Sequence, residues 1–274
     1  MSNFIQRCLT GIIFLIVVMG SILWHEYAYF LVFSIVVIIA MIEFINLVKE
    51  SKIKVQTGLG LSIGLVVYII TFFIYYEKIT SQWLLLLVPM IIAVFITELY
   101  RKNDTPVMNI ACTLLVPFYI ALPFASLHFL AFHTGTYTFE MLIGFFVLVW
   151  SSDTGAYLVG VKFGKRRLFE RISPKKSWEG AIGGFVVTII AALILSYFFK
   201  NLSLINWIIV GIIISIMGIF GDLTESMIKR SVNKKDSGNL LPGHGGVFDR
   251  FDCVIFAAPL VFCYLKFSQY LFNF

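Results

Sequence analysis

The sequence predicts an all-α, polytopic integral membrane protein with about nine transmembrane helices. Three observations carry this reading. Hydrophobic residues make up 59% of the chain and charged residues 13%, and mean hydropathy is +0.94. That is more apolar surface than a soluble domain of this length buries. Apolar runs of about 20 residues, the length that crosses a bilayer, recur along the whole chain. The basic residues gather on alternate connections, as membrane orientation requires.

In chain order the candidate spans are about 9–24, 27–48, 58–76, 82–99, 107–132, 139–161, 178–199, 203–223 and 252–272. Arg7 ahead of the first run imitates a signal peptide. No small-residue cleavage site follows, so this run reads as an uncleaved span. Only His25 and Glu26 separate it from the second run. Pro117 and Pro123 predict a kink or a break in the fifth. Cys8, Cys112, Cys253 and Cys263 lie in or beside apolar runs without CxxC spacing, and read as small buried hydrophobes. The four histidines are scattered, which excludes a zinc-type cluster.

Alternating sides places the N-terminus and the connections at 49–57, 100–106, 162–177 and 224–251 together. They hold all of the 21 Lys and Arg except Lys78, Lys200 and Lys266. The expected arrangement is therefore a multi-pass protein of the cell (plasma) membrane with these loops cytoplasmic and the C-terminus outside. The basic density of 162–177 and 224–251 exceeds what orientation needs, so these two loops are expected to share an anionic ligand. Nucleic acid is not an expected partner, because no soluble basic domain with aromatic platforms is present.

Two regions follow: 1–135, about five spans and chemically quiet, and 136–274, which carries both long basic loops. In the first, Glu43 and Glu98 lie inside apolar runs. Intramembrane carboxylates are functional candidates by default. Both are near cytoplasmic ends, where snorkelling accounts for them equally well, and neither is selected.

The second region is richer. Asp153 lies about two turns from the cytoplasmic end of its span, among Ser151, Ser152 and Thr154. That points to a polar cavity, with a helix–helix hydrogen bond as the alternative. "GVKFGK" is not a Walker loop, since its glycine spacing is one short and no Ser or Thr follows Lys165. In "ISPKKSWEG", Ser173 as N-cap and Pro174 as first helical residue predict a helix running into the next span. Its free N–H groups form an anion site. Lys175 and Lys176 in its first turn oppose the helix dipole unless an anion such as phosphate neutralises both. Snorkelling toward headgroups is the alternative. Glu179 beside them is a candidate base, metal ligand or lysine partner.

"GIFGDLTESMIKR", continued as a helix, brings Asp222, Ser226 and Lys229 within about 60° of one another, with Glu225 adjacent. "SVNKKDSGNLLPGHGG" follows, and its glycines let backbone approach a ligand. In "VFDRFD", read as opening the last span, Asp249 and Asp252 are three apart and expected on one helix face. Arg250 then points elsewhere, toward a phosphate.

Lys175, Lys176, Lys229, Arg230, Lys235 and Arg250 thus supply cations for phosphates. Asp222, Asp249, Asp252 and Asp153 supply oxygen ligands for a hard cation such as Mg²⁺. This is equipment for phosphoryl or nucleotidyl transfer, and its place at the membrane edge implies a lipid substrate. An ion-coupled transporter would spread polar residues through both membrane halves. An enzyme joining a CDP-lipid to an alcohol would carry a DG…AR…G…D…D arrangement, which is not found. Another membrane transferase acting on a lipid phosphate is the nearer alternative.

The stretch Ser226–Asp252, "SMIKRSVNKKDSGNLLPGHGGVFDRFD", closely resembles the signature of the phosphatidate cytidylyltransferases, or CDP-diglyceride synthases. Ser226, Lys229, Arg230, Lys235, Asp236, Gly238, Pro242, His244, Gly245, Gly246, Asp249, Arg250 and Asp252 all fit it. "ISPKKSWEG" is similar to the family's segment ahead of the next helix, so the resemblance covers about 150–252. It implies that phosphatidic acid attacks the α-phosphorus of CTP, with Mg²⁺ required. It also implies that Asp222 and Asp249 hold metal and act in catalysis with Lys229 and Lys175. Ser173, Lys175, Lys176, Ser226, Lys229, Arg230, Lys235 and Arg250 then bind phosphates, with His244, Gly245 and Gly246 shaping the loop around them. Asp153, Glu179 and Asp252 are further candidate metal ligands. The glycines of "EGAIGG" permit close packing within the chain or between two copies, so a homodimer is among the expected arrangements.

Overall fold

The structure, a computed structural model, describes residues 3–238 and 245–272, leaving aside the side chains of 3–8 and 272. Among the described residues the helices are α1 (Asn3–Trp24), α2 (Glu26–Glu50), α3 (Thr57–Tyr75), α4 (Leu87–Arg101), α5 (Pro106–Val116), α6 (Leu122–Ala131), α7 (Phe139–Phe163), α8 (Trp178–Phe198), α9 (Leu204–Ser231) and α10 (Asp252–Phe272). A 3₁₀ segment, Ser81–Leu86, leads into α4, and a π-helical turn, Pro117–Ala121, joins α5 to α6. Among the described residues eight segments are long and apolar enough to cross a membrane, and Leu9–Trp24 of α1 is a shorter apolar helix. The fold is all-α and polytopic, as expected.

Local chemistry explains the joins. His25 is extended (φ −167°, ψ 150°) and its ring accepts the Tyr27 N–H at 3.2 Å. It is therefore an N-cap, and α1 and α2 are separate helices. Pro117 opens the π-helical turn, so the fifth span continues through its prolines with the irregular turn absorbing the missing N–H.

The described chain forms two compact units. One runs to His128 and includes Ser231–Phe251, and the other takes Phe129–Arg230 and the chain from Asp252 onward. In the first unit, buried His128 bridges the Tyr29 hydroxyl (3.0 Å) and the Tyr68 carbonyl (3.1 Å). The segment before α10 is anchored here by two phenylalanines three apart. Phe248 packs on Phe44 and Tyr119, and Phe251 on Phe14, Phe33 and Phe124. Both are buried, which leaves Asp249 and Arg250 at the surface side of the turn.

In the second unit α7 and α8 pack through small residues. A Cβ on Gly184 would lie 2.7 Å from the Ser152 carbonyl, and one on Gly155 2.8 Å from the Val187 Cβ. The "EGAIGG" glycines thus close a contact within one chain. Gly221 on α9 similarly admits the Asp252 carbonyl and the Cys253 Cα at the start of α10.

Two local expectations are corrected. Ser173–Ser177 is not the start of a helix. It is strand β2, paired antiparallel with β1 (Arg167–Phe169). Ser177, not Ser173, caps α8, accepting the Gly180 N–H at 3.1 Å. Pro174 is tolerated in this two-stranded ribbon, where every strand is an edge. Lys175 and Lys176 therefore do not occupy a helical first turn. The acid there is Glu179, as the dipole prefers. Second, Asp249 and Asp252 do not share a helix. Asp249 sits in a 3₁₀ turn, Phe248–Arg250, and α10 begins only at Asp252, because Phe251 (φ −119°, ψ 13°) leaves helical geometry.

Candidate active site

α9 continues beyond its apolar run to Ser231, which places Asp222, Glu225, Ser226 and Lys229 on regular helix. The i,i+4 spacing pairs them. The Ser226 hydroxyl donates to Asp222 Oδ1 at 3.1 Å, and Lys229 Nζ lies 2.7 Å from Glu225 Oε2. Glu225 and Lys229 are both buried, so their charges are held without free access to water. Lys176 of β2 makes an ion pair with the other oxygen of Asp222, Oδ2. The β1–β2 ribbon is fixed to α8 by Glu179, whose carboxylate accepts the N–H groups of Lys165 (3.0 Å) and Arg166 (3.2 Å). Glu179 is thus occupied with backbone.

Asp252 is the first residue of α10, and its Oδ1 accepts the Cys253 N–H at 2.7 Å. Asp222, Glu225 and Asp252 each bring one carboxylate oxygen to within 4.8 Å of the others. Asp153 of α7 and Lys176 are further charged neighbours of Asp252. Four carboxylates face two ammonium groups, a formal excess of negative charge. The donor set is all oxygen, which suits a hard divalent cation. Sequence reasoning left Glu225 out of the metal group, because helical spacing alone placed it beside the face rather than on it.

A second set of signature residues belongs to the first unit. Asp249 accepts the N–H groups of Ser237 (3.0 Å) and Gly246 (2.8 Å) through its carboxylate. Gly245 has φ +83°, a conformation only glycine adopts without cost, and a Cβ there would lie 2.5 Å from Asp249 Oδ2. The signature turn is therefore closed around Asp249. His244 and Pro242 lie outside the described residues. Lys175, Arg230, Lys235 and Arg250 are exposed, and Ser173 is half-buried at the start of β2. Glu43 of α2, passed over in the sequence, also belongs to this set. It is buried and accepts from Ser237, Val247 and Phe248.

The family model described as "Cytidylyltransferase family" matches residues 5–268. The chain belongs to the cytidylyltransferase family. Among curated members, it is 33% identical to a phosphatidate cytidylyltransferase of Staphylococcus aureus (strain COL) over 262 residues, covering 93% of this chain and 96% of the relative. It is 34% identical to one of Staphylococcus haemolyticus over 261 residues, with the same coverage. It is 38% identical to one of Haemophilus influenzae over 175 residues, 62% of this chain and 60% of that relative. The match to the cytidylyltransferase family thus extends through the N-terminal spans, well beyond the Ser226–Asp252 signature.

Proposed function

We propose that the protein transfers the cytidylyl group of CTP to phosphatidic acid, giving CDP-diacylglycerol and pyrophosphate for phospholipid synthesis. The observation that carries this reading is the oxygen cluster of Asp222, Glu225 and Asp252, flanked by Lys176 and Lys229, in a chain of this family. A phosphate oxygen of phosphatidic acid attacks the α-phosphorus of CTP. The new P–O bond forms as the bond from the α-phosphorus to the β-phosphate oxygen breaks, and the electron pair leaves with pyrophosphate. The attacking monoester is already anionic near neutral pH, so the step needs no general base.

Asp222, Glu225 and Asp252 are the groups we assign to Mg²⁺, with Asp153 beside them. When bound, the cation would polarise the reacting phosphoryl oxygens and offset the charge of the leaving group. Lys176 and Lys229, already held at the cluster by carboxylates, bind triphosphate oxygens. We assign Arg230, Lys235, Arg250, Lys175 and Ser173 to phosphates on the same reading. Asp249, whose carboxylate accepts the Ser237 and Gly246 N–H groups, is assigned a metal-holding role on the resemblance alone. The basic loops face the cytoplasm, where CTP is available, in the cell membrane, with the C-terminus outside.

The decisive assay incubates purified protein with labelled CTP, phosphatidic acid in mixed micelles and Mg²⁺, and measures lipid-extractable label. Label in the lipid fraction that disappears on chelation is expected. An inactive wild type under these conditions would overturn the reading.

A further inference from the structure

The buried carboxylate of Glu43 has no part in the chemistry above, yet it binds the signature loop at several points. Glu43 is 7% exposed on α2. Its Oε1 accepts the Val247 N–H at 3.1 Å, and its Oε2 accepts the Phe248 N–H at 2.8 Å and the Ser237 hydroxyl at 3.0 Å. Val247 and Phe248 open the 3₁₀ turn that carries Asp249, so their N–H groups are the ones a helix start leaves without backbone partners. Glu43 acts as their cap from a residue about 200 positions away in sequence. Ser237 ties the arrangement together: its N–H goes to Asp249 and its hydroxyl to Glu43.

Two glycines of the signature are explained by the same carboxylate. A Cβ on Gly238 would lie 2.5 Å from Glu43 Oε1 and 2.8 Å from its Cδ. A Cβ on Gly246 would collide with Glu43 Oε2 and the Ser237 hydroxyl. Burying a carboxylate is costly unless its lone pairs are filled. Phe248 and Phe251 already supply the apolar anchorage. What they leave undefined is the register between 237–238 and 246–248, and Glu43, as an acceptor at both, sets it.

We infer that Glu43 is a positioning residue for cytidylyl transfer: it locks the two arms of the signature loop together and so presents Asp249. Its place in catalysis rests on the proposed function, whereas the lock itself does not. Glutamine at 43 keeps the size but places an NH₂ against at least one N–H or O–H donor, and so breaks the lock without opening a cavity.

The test compares wild type with Glu43→Gln, Ser237→Ala, Gly238→Ala, Glu43→Ala and the Glu43→Ala/Gly238→Ala pair, in detergent or nanodiscs. Two readouts are taken: transfer kinetics, and hydrogen exchange in peptides covering 245–251. Glu43→Gln is expected to lower kcat/KM for CTP about 10–100-fold, as loss of an outer support to an active-site carboxylate does. It should also speed exchange at Val247 and Phe248, with a modest drop in the unfolding midpoint from the buried donor left unsatisfied. Gly238→Ala is expected to be harmful in the wild-type background and without further effect beside Glu43→Ala. Unchanged exchange at Val247 and Phe248 in Glu43→Gln, or kcat/KM for CTP within about twofold of wild type, overturns the inference. Should Glu43→Ala fail to fold, the glutamine and Ser237→Ala variants decide alone. A wild type without transfer defeats the function reading, while exchange still tests the lock.

Discussion

At Asp222 one carboxylate serves two partners, the Ser226 hydroxyl and the Lys176 ammonium, while offering an oxygen to the acidic group. Asp222→Asn removes the charge and keeps the shape. We expect kcat to fall by about 100-fold or more, the scale on which single electrostatic contributors act in water-poor sites. The protein's melting temperature should be nearly unchanged, and excess Mg²⁺ should recover little of the activity. The Lys229–Glu225 pair answers to a different rule. Both side chains are buried, at 10% and 2% exposure. Lys229→Met strips Glu225 of its cation and should destabilise the fold by about 3–5 kcal/mol. Adding Glu225→Gln should restore much of that, as thermal unfolding in detergent would show. A single variant as stable as wild type would mean that Glu225 is neutralised by another route.

At the level of elements, glycine decides how closely the α7, α8, α9 and α10 backbones approach. Gly184 faces the Ser152 carbonyl, a backbone atom that cannot swing aside. Gly184→Ala should therefore cost about 1–3 kcal/mol by overpacking, read as a lower unfolding midpoint, whereas an alanine at Gly20, which meets nothing within 4 Å, should be neutral. The β1–β2 ribbon makes a related point. "SPKKSWE" satisfies the rules for a helix start at Ser173 and again at Ser177. What selects Ser177 is pairing with Arg167–Phe169 and the hold of Glu179 on the Lys165 and Arg166 amides. That choice moves Lys176 from a helix terminus to a strand, from which it reaches Asp222.

Across the whole molecule, the separation of charge is the basis of the proposed orientation. In a background lacking native cysteines, Lys165→Cys is expected to react with an impermeant maleimide only from the cytoplasmic side and Asn201→Cys only from the outside. Labelling of both from one side would refute the proposed topology. The apolar runs, the clustering of Lys and Arg on alternate connections and the Ser226–Asp252 signature are properties of local composition, and the sequence alone determined them. Most of the helices begin and end within a few residues of the expected runs, while α1 starts earlier, at Asn3, and α9 runs on to Ser231. It also marked Asp222, Asp252, Lys176 and Lys229 as chemistry-bearing, because acids and bases are conspicuous beside apolar runs. Only the tertiary structure decided that Glu225 joins Asp222 and Asp252, that Ser173 begins a strand, and that Glu43 belongs to a loop about 200 residues away. Hydropathy and helical period depend on neighbours a few residues apart. A hydrogen-bond partner is chosen among all donors the fold brings near, and for a carboxylate buried in an apolar helix that choice leaves no local trace.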